Sequence, residues 1–178
     1  MCSSDLITFV MPENPVTATA NGTSTVYTVS GAVQTADLTH ANGQPVADTE
    51  ILAALTSGDA LVAEVEVVDG RYTIANVLPG TYTLEVTKYG HAARTYEVTV
   101  EAADVALDTQ LNPMGDINLD GVVDTRDLNQ MTQILVNKAE QPTGYALACA
   151  DVAGQDGEVR KADHDELKAH LLEKELLW

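Results

Sequence analysis

Oxygen-bearing side chains recur at alternate positions in one short stretch, D-I-N-L-D-G-V-V-D-T-R-D, which runs from residue 116 to residue 127. Calcium binds about six to eight hard oxygen atoms, and a loop folded round the ion presents alternate residues to it. Gly121 lies between the two halves, where the sharp turn needs a residue without a Cβ. The spacing therefore predicts a calcium-binding loop, called loop one here. Its predicted ligands are the side chains of Asp116, Asn118, Asp120, Asp124 and Asp127 and the backbone carbonyl of Val122.

This register is that of an EF-hand calcium loop, with two departures. The last ligand is Asp127, which is one methylene shorter than the usual Glu. No helix should lead in, because Pro113 favours an extended Asn112 and Gly115 is a poor helix former. The helix that follows should bury Leu128, Met131 and Leu135 on one face. A solvated acidic turn is the alternative, which five matched positions and the glycine disfavour.

A second loop-and-helix unit, called loop two here, starts about 35 residues after the first. Residues 148–159 lead to Asp163 and to a predicted helix that carries Leu167, Leu171 and Leu172. Asp151 lies one residue too early for a regular loop, so Gln155 or a neighbour is interpreted as an insertion. Arg160 then occupies position nine. In register, loop two keeps three carboxylates, those of Asp151, Asp156 and Asp163, against four in loop one, which predicts weaker binding. The predicted ligands of loop two are Asp151, Asp156, Glu158 and Asp163.

The duplicated loop-and-helix unit, from about Gly115 to Leu172, resembles a type I dockerin. Dockerins are small all-α modules that attach enzymes and surface proteins to cohesin domains of cellulosome scaffolds in a calcium-dependent way. The resemblance implies one firm and one weaker calcium site, a cohesin partner, and a secreted protein in a cellulosome or at the cell surface. Ala153 or Gly154 stands where the family has Asn. By resemblance, the cohesin contacts are Thr125, Arg126, Thr132, Gln133, Lys161, Ala162 and Lys168.

Residues 25–111 alternate between apolar and polar side chains and are punctuated by turn signals such as Asp69-Gly70 and Pro79-Gly80. This pattern predicts an all-β sandwich of seven to eight strands with Greek-key connections. The motifs D-G-x-Y-x-I and V-x-P-G-x-Y-x-L-x-V resemble the carboxypeptidase regulatory-like, prealbumin-type sandwich, which is mostly a spacer or accessory domain. The predicted strands are 26–33, Ile51–Thr56, Leu61–Val68, Tyr72–Val77, Thr81–Thr87, Tyr96–Val100 and Val105–Leu111, with another at Leu6–Met11.

We therefore divide the chain into a linker or domain edge (1–24), the β-sandwich (25–112) and the dockerin (113–178). The net charge is −18, and both halves are acidic, which argues against nucleic-acid binding and attachment to anionic membranes. No apolar run is long enough for a membrane span. Cys2 and Cys149 are too few for a disulfide framework, so a buried free thiol is expected at Cys149. The first residues do not form a signal peptide, so we expect a fragment of a longer secreted precursor.

Sequence motifs for catalysis, including G-x-S-x-G, H-E-x-x-H and the P-loop, do not occur in the chain. We therefore expect a non-catalytic attachment module. Two alternatives remain: a fragment of a secreted polysaccharide-degrading enzyme, and a cell-surface adhesin or structural protein that uses the calcium unit as a rigid joint. The dockerin resemblance also implies an aromatic clasp between Trp178 and Pro113.

Overall fold

A computed structural model describes residues 24–38, 46, 50–172 and 177, and these contain eight strands and three helices. The predicted strand Leu6–Met11, Cys2 and Trp178 lie outside the described residues. The strands are β1 (Tyr27–Thr35), β2 (Ile51–Ser57), β3 (Ala60–Glu66), β4 (Arg71–Val77), β5 (Gly80–Lys88), β6 (Arg94–Val100), β7 (Val105–Ala106) and β8 (Thr109–Leu111). The helices are α1 (Thr125–Leu135), α2 (Gly144–Ala150) and α3 (Lys161–Leu171).

The strands form two sheets. In one sheet β4 lies antiparallel to β1, and β7 and β8 pair in parallel with the other edge of β1. The second sheet has the order β3-β2-β5-β6 and is antiparallel throughout. Strand β3 ends at Glu66, short of the predicted Val68, which instead forms an isolated bridge with Arg71. The alternation of residues 25–111 therefore predicted a β-rich domain correctly.

Alternate residues of the strands bury their side chains in a shared core between the sheets. In β5 these are Tyr82, Leu84 and Val86, while the residues between them are exposed. The Tyr82 hydroxyl donates to the Leu78 carbonyl at 2.7 Å, so this buried tyrosine keeps a hydrogen-bond partner. Leu84 is fully buried, and truncating such a leucine to alanine costs about 2–5 kcal/mol of unfolding free energy.

The predicted strand Val105–Leu111 is wrong in one respect, because it is broken into β7 and β8. Between them the chain passes close over β1: a Cβ on Gly31 would lie 1.9 Å from the Leu107 carbonyl oxygen. The Leu107 amide donates to the Ser30 carbonyl at 2.9 Å, and the Asp108 carboxylate accepts from the Ala32 amide at 2.8 Å. The Asp108 side chain thus takes the place of a backbone carbonyl as the acceptor for the Ala32 amide of β1. This interrupts the regular ladder of backbone hydrogen bonds along β1.

The three helices and two loops surround a second, smaller core. Its buried members include Ile117, Met131, Ile134 and Leu167. Helix α2 has no counterpart among the predicted helices, and its last residues fall in the stretch 148–159 that is predicted to lead to Asp163. Its Ala-rich segment, Tyr-Ala-Leu-Ala-Cys-Ala, has high helix propensity. Cys149 on this helix is a fully buried free thiol, as expected, and burial raises its pKa to about 12.

The chain passes from the sandwich to the helices without a free linker. The Ala92 amide donates to the Asn112 carbonyl at 3.1 Å, and the Met114 amide donates to the Gly90 carbonyl at 3.0 Å. His91 and Pro113 form an isolated antiparallel bridge between these two hydrogen bonds. Residues 112–114 therefore extend the hydrogen-bonded structure of the sandwich to within two residues of Asp116. None of the helices described is long and apolar enough to cross a membrane.

Candidate metal centre

Asp116, the first predicted ligand of loop one, is completely buried and organises the loop backbone. Its Oδ2 accepts from the Gly121 amide at 2.7 Å and from Asn112 Nδ2 at 2.8 Å. Its Oδ1 accepts from the Asp120 amide at 3.2 Å. Gly121 has φ +87°, a left-handed conformation that favours glycine. The carboxylate therefore needs the turn at Gly121 to reach its amide.

Asp127, the last predicted ligand, closes loop one from its other end. One carboxylate oxygen accepts from the Asn118 amide at 3.3 Å, and the other accepts from the Asp124 amide at 2.9 Å. Asp124 in turn caps α1, because its Oδ1 accepts from the Arg126 amide at 2.7 Å. Burial raises the pKa of Asp127, and the neighbouring carboxylates of Asp116 and Asp124 raise it further. The two hydrogen bonds that Asp127 accepts, from the Asn118 and Asp124 amides, act in the opposite direction. A cation at this position would stabilise the ionised form.

Arg126 folds back over loop one. Its guanidinium lies 2.7 Å from Asp120 Oδ2 and 2.8 Å from Asp124 Oδ2. The side-chain hydrogen bonds from Arg126 lower the pKa of Asp124. Arg126 is exposed, so these ion pairs are screened by water and add little to stability.

Loop two repeats the backbone frame of loop one. The Gly157 amide donates to Asp151 Oδ2 at 2.6 Å, as Gly121 does to Asp116. Asp163 accepts from the Ala153 amide at 2.8 Å and from the Arg160 amide at 2.7 Å. By these bonds Ala153 takes the place of Asn118, and Arg160 takes the place of Asp124. The extra residue of loop two therefore lies between Ala153 and Asp156, where Gly154 and Gln155 both have positive φ.

The charges of loop two are arranged differently. The Arg160 guanidinium lies 2.9 Å from the Asp156 carboxylate and 3.2 Å from the Glu158 carboxylate. Asp151 is only 5% exposed, and its Oδ1 has no hydrogen-bond partner among the described residues. A buried carboxylate oxygen without a donor is costly, and a bound cation is one way to satisfy it.

Gln141, in the connection between α1 and α2, holds loop two against the helices. Its amide donates to the Val159 carbonyl at 2.9 Å and accepts from the Val159 amide at 2.9 Å. One side chain thus satisfies both backbone groups of a buried residue. The sequence carried no signal for this contact, which depends on how the two units pack.

The predicted ligands therefore fall into two loops, at the start of α1 and of α3. Within the part of the chain that the structure describes, no group of three or more His, Cys, Asp or Glu side chains already converges on a metal position. Many of the carboxylate oxygens instead accept from backbone amides or pair with Arg126 and Arg160. A carboxylate oxygen has two lone pairs, so one that accepts an amide can still ligate an ion. The individual ligand roles stay predictions.

The side chains predicted to contact a partner lie on α1 and α3. Thr125, Arg126, Lys161, Ala162 and Lys168 are exposed. Thr132 is exposed too, and its hydroxyl donates to the Leu128 carbonyl at 2.8 Å, while Gln133 is half-buried. Lys161 forms an ion pair with Asp165 one turn along the helix. Four of the seven predicted contacts lie in the first turn of α1 or α3, beside the loops.

Comparison with known proteins gives a family-level match for the second part of the chain. The family model of the type I dockerin domain matches residues 114–172. No curated protein matches the chain. Two solved structures of mutant type II cohesin–X–dockerin complexes from Acetivibrio cellulolyticus are 22% and 21% identical, with TM-scores of 0.38 and 0.40. Each covers 81% of this chain and 94% of its own. The minor pilin GBS52 of Streptococcus agalactiae is 12% identical, covers 49% of this chain and 44% of its own, and has a TM-score of 0.37.

Proposed function

We propose that residues 113–178 are a calcium-dependent dockerin that attaches its protein to a cohesin domain, with residues 25–112 as an accessory or spacer sandwich. The match to the dockerin model over residues 114–172 carries this proposal. The repeated backbone frame of the two loops supports it, because a duplicated loop-and-helix unit is what the family implies. Within this proposal the protein is secreted and belongs to a cellulosome or cell-surface assembly.

Calcium suits the donor set of loop one. Hard oxygen atoms dominate the loop, and Asp116 and Asp127 are buried carboxylates close enough to repel each other. Calcium would neutralise the carboxylates whose repulsion opposes the folded loop, so its binding free energy would add to folding. We assign one firm site to loop one, held by the ligands predicted above.

Loop two has the poorer donor set. Ala153 and Arg160 stand where loop one offers Asn118 and Asp124, so two side-chain ligands are lost. The unpartnered Asp151 Oδ1 still favours a cation. We therefore assign a weaker second site to Asp151, Asp156 and Asp163 with the Glu158 carbonyl.

The partner surface is proposed to be the exposed face of α1 and α3 beside the loops. Both helices start at their loop: Asp127 and Asp163 each accept from the amide of the residue at the helix start. A loop ordered by calcium would therefore fix the direction of its helix and the side chains that the helix presents. The proposed binding needs no catalytic group from this part of the protein.

A pull-down on a panel of cohesin domains, with calcium or with EGTA, tests the proposal on the full chain. We expect capture by at least one cohesin in calcium and none in EGTA. Asp116→Ala should abolish capture, whereas Asp59→Ala, the same change at an exposed turn of the sandwich, should not. Capture by no cohesin would favour the rigid-joint alternative. The enzyme alternative depends on residues upstream of this chain and is compatible with a dockerin here.

The affiliation of the sandwich with the prealbumin-type fold and its Greek-key connectivity are part of the same proposal. They rest on the turn and core motifs of the sequence, such as Asp69-Gly70 and Pro79-Gly80. In the structure Tyr72 and Tyr82, which follow these turns, are buried in the sandwich core. Burial also raises the pKa of Tyr72 to about 12. Both tyrosines therefore have a structural role, which fits an accessory domain.

A further inference from the structure

We infer that Asn112 is a positioning residue through which the β-sandwich sets the calcium affinity of loop one. The inference rests on the proposed function, because it assumes that loop one binds calcium. Asn112 belongs to the segment that joins the sandwich to the loop. It is 1% exposed, and its Nδ2 donates to Oδ2 of the completely buried Asp116 at 2.8 Å.

The Asn112 side chain has little freedom to turn away from Asp116. Its backbone amide donates to the Tyr145 hydroxyl at 2.7 Å, and its carbonyl accepts from the Ala92 amide at 3.1 Å. The Tyr145 hydroxyl donates in turn to the Ala92 carbonyl at 3.2 Å. These three bonds close a ring between the sandwich, the joining segment and α2. Pro113 adds to the constraint, because it favours an extended Asn112.

The sandwich also contacts Tyr145, the member of this hydrogen-bonded ring that belongs to α2. The Arg94 guanidinium of β6 lies 4.3 Å from the centre of the Tyr145 ring and 5.3 Å from that of Tyr96. Arg94 also donates to the Gln110 carbonyl at 3.1 Å. A cation and the aromatic face beneath it attract each other, and this attraction is stronger where water is displaced. The position of Tyr145, and hence of Asn112, therefore depends on an intact sandwich.

Asn112 Nδ2, fixed in this way, should orient the carboxylate of Asp116, the first predicted ligand, before calcium binds. Groups that hydrogen-bond to a ligand orient it, and their loss typically costs about 10-fold to 100-fold in metal affinity. Coupling between two parts of a protein is reciprocal. Calcium in loop one should therefore also strengthen the hydrogen bonds of Ala92 and Met114 that join the sandwich to residues 112–114. The sandwich would then be more than a spacer.

Calcium titration by calorimetry on the full-length chain tests the inference. Asn112→Leu keeps the size of the side chain, removes the donor and adds no charge, and should weaken loop-one binding by about 10-fold to 100-fold. Tyr145→Phe keeps the ring and removes one hydroxyl, and should weaken binding by about fivefold. Tyr96→Phe is the matched control: its hydroxyl accepts only from the Gln110 amide, so affinity should stay within about twofold.

Hydrogen exchange supplies a readout that a general loss of stability would not reproduce. In the wild-type chain, calcium should slow the exchange of the Ala92 and Met114 amides, and Asn112→Leu should remove most of this protection while sandwich-core amides such as Leu84 stay protected. A wild-type chain that binds no calcium overturns both proposals. Normal calcium affinity in Asn112→Leu overturns this inference and leaves the proposed function standing. If Asn112→Leu does not fold, normal calcium affinity in Tyr145→Phe has the same consequence.

Discussion

Loop one and loop two share one backbone frame, but their carboxylates have different partners. In each loop the first aspartate accepts from the glycine amide, and the last aspartate accepts from two loop amides. In loop one Arg126 lies outside the predicted ligand positions and pairs with Asp124, which also caps α1. In loop two the arginine itself, Arg160, occupies the capping position, and α3 begins without a side-chain cap bond.

This difference shows that the shape of the loop and its affinity for metal depend on different residues. The shape needs two aspartates and one glycine, and both loops have them. The affinity should depend on the remaining positions, where loop two has lost two ligands and gained a cation. The following predictions, from the largest expected effect to the smallest, test whether that separation holds.

Removal of calcium should have the largest effect, because both loops then keep buried, uncompensated carboxylates. EGTA should lower the far-UV helix signal and the protease resistance of residues 113–178. The sandwich should persist, since its core side chains, such as Leu55 and Leu84, belong to a separate cluster. Circular dichroism and limited proteolysis measure the two parts independently. Helicity that is unchanged in EGTA would contradict the prediction.

Asp116→Ala should damage the protein more than Asp151→Ala. The first change removes the acceptor of the Gly121 amide and of Asn112 Nδ2, at about 1–3 kcal/mol for each one that stays buried and unsatisfied. The Asp120 amide, which also donates to Asp116, keeps Asn118 Oδ1 as an acceptor. The second removes one bond, from Gly157, and also removes the unpartnered Asp151 Oδ1. Thermal unfolding and calcium titration of both variants should show the larger loss for Asp116→Ala. Equal losses would mean that the loops are energetically equivalent.

The turn at Gly121 and the helix that follows loop one could be predicted from the sequence, because the residues that set them are local and regularly spaced. The strands were predictable for a similar reason, since alternate burial leaves a period of two in residues such as Tyr82, Leu84 and Val86. Loop two was harder because an extra residue breaks its register. Its hydrogen bonds place that residue between Ala153 and Asp156.

Contacts between distant segments could not be predicted. The bond from Asn112 to Asp116 spans only four residues, but it forms because Tyr145 and Ala92 hold the Asn112 backbone. The break between β7 and β8 likewise depends on the close approach of Leu107 to Gly31. Neither arrangement leaves a periodic trace in the sequence, because each depends on tertiary packing.

Binding to a cohesin should use a single orientation. Many dockerins with near-identical repeats can dock in two ways, whereas here Thr125-Arg126 and Lys161-Ala162 differ in size, charge and hydrogen-bonding capacity. In saturating calcium, Arg126→Ala alone or Lys161→Ala alone should reduce affinity at least about 30-fold, as loss of a dominant contact does. Calorimetry with a cohesin from the pull-down measures this. Equal and small losses from both variants would indicate two interchangeable orientations.

Arg160→Asp should have a smaller effect and should strengthen calcium binding. The change restores to loop two the carboxylate that Asp124 supplies in loop one, and it removes a cation that pairs with Asp156 and Glu158. One additional charged ligand should tighten the second calcium site, by about tenfold if it contributes about 1.4 kcal/mol. The new carboxylate can also accept from the Ala162 amide and cap α3, as Asp124 caps α1, which adds about 1 kcal/mol to helix stability.

Arg160→Ala separates the two causes of weak binding in loop two. It removes the cation without adding a ligand, so its second-site affinity should lie between those of the wild type and Arg160→Asp. Calcium titration by calorimetry resolves the order, and the loop-one affinity of the same samples is the internal control. If all three proteins bind the second calcium equally, the side chain at position nine is irrelevant. The extra residue between Ala153 and Asp156 would then limit the site, and its deletion, not a charge change, should restore affinity.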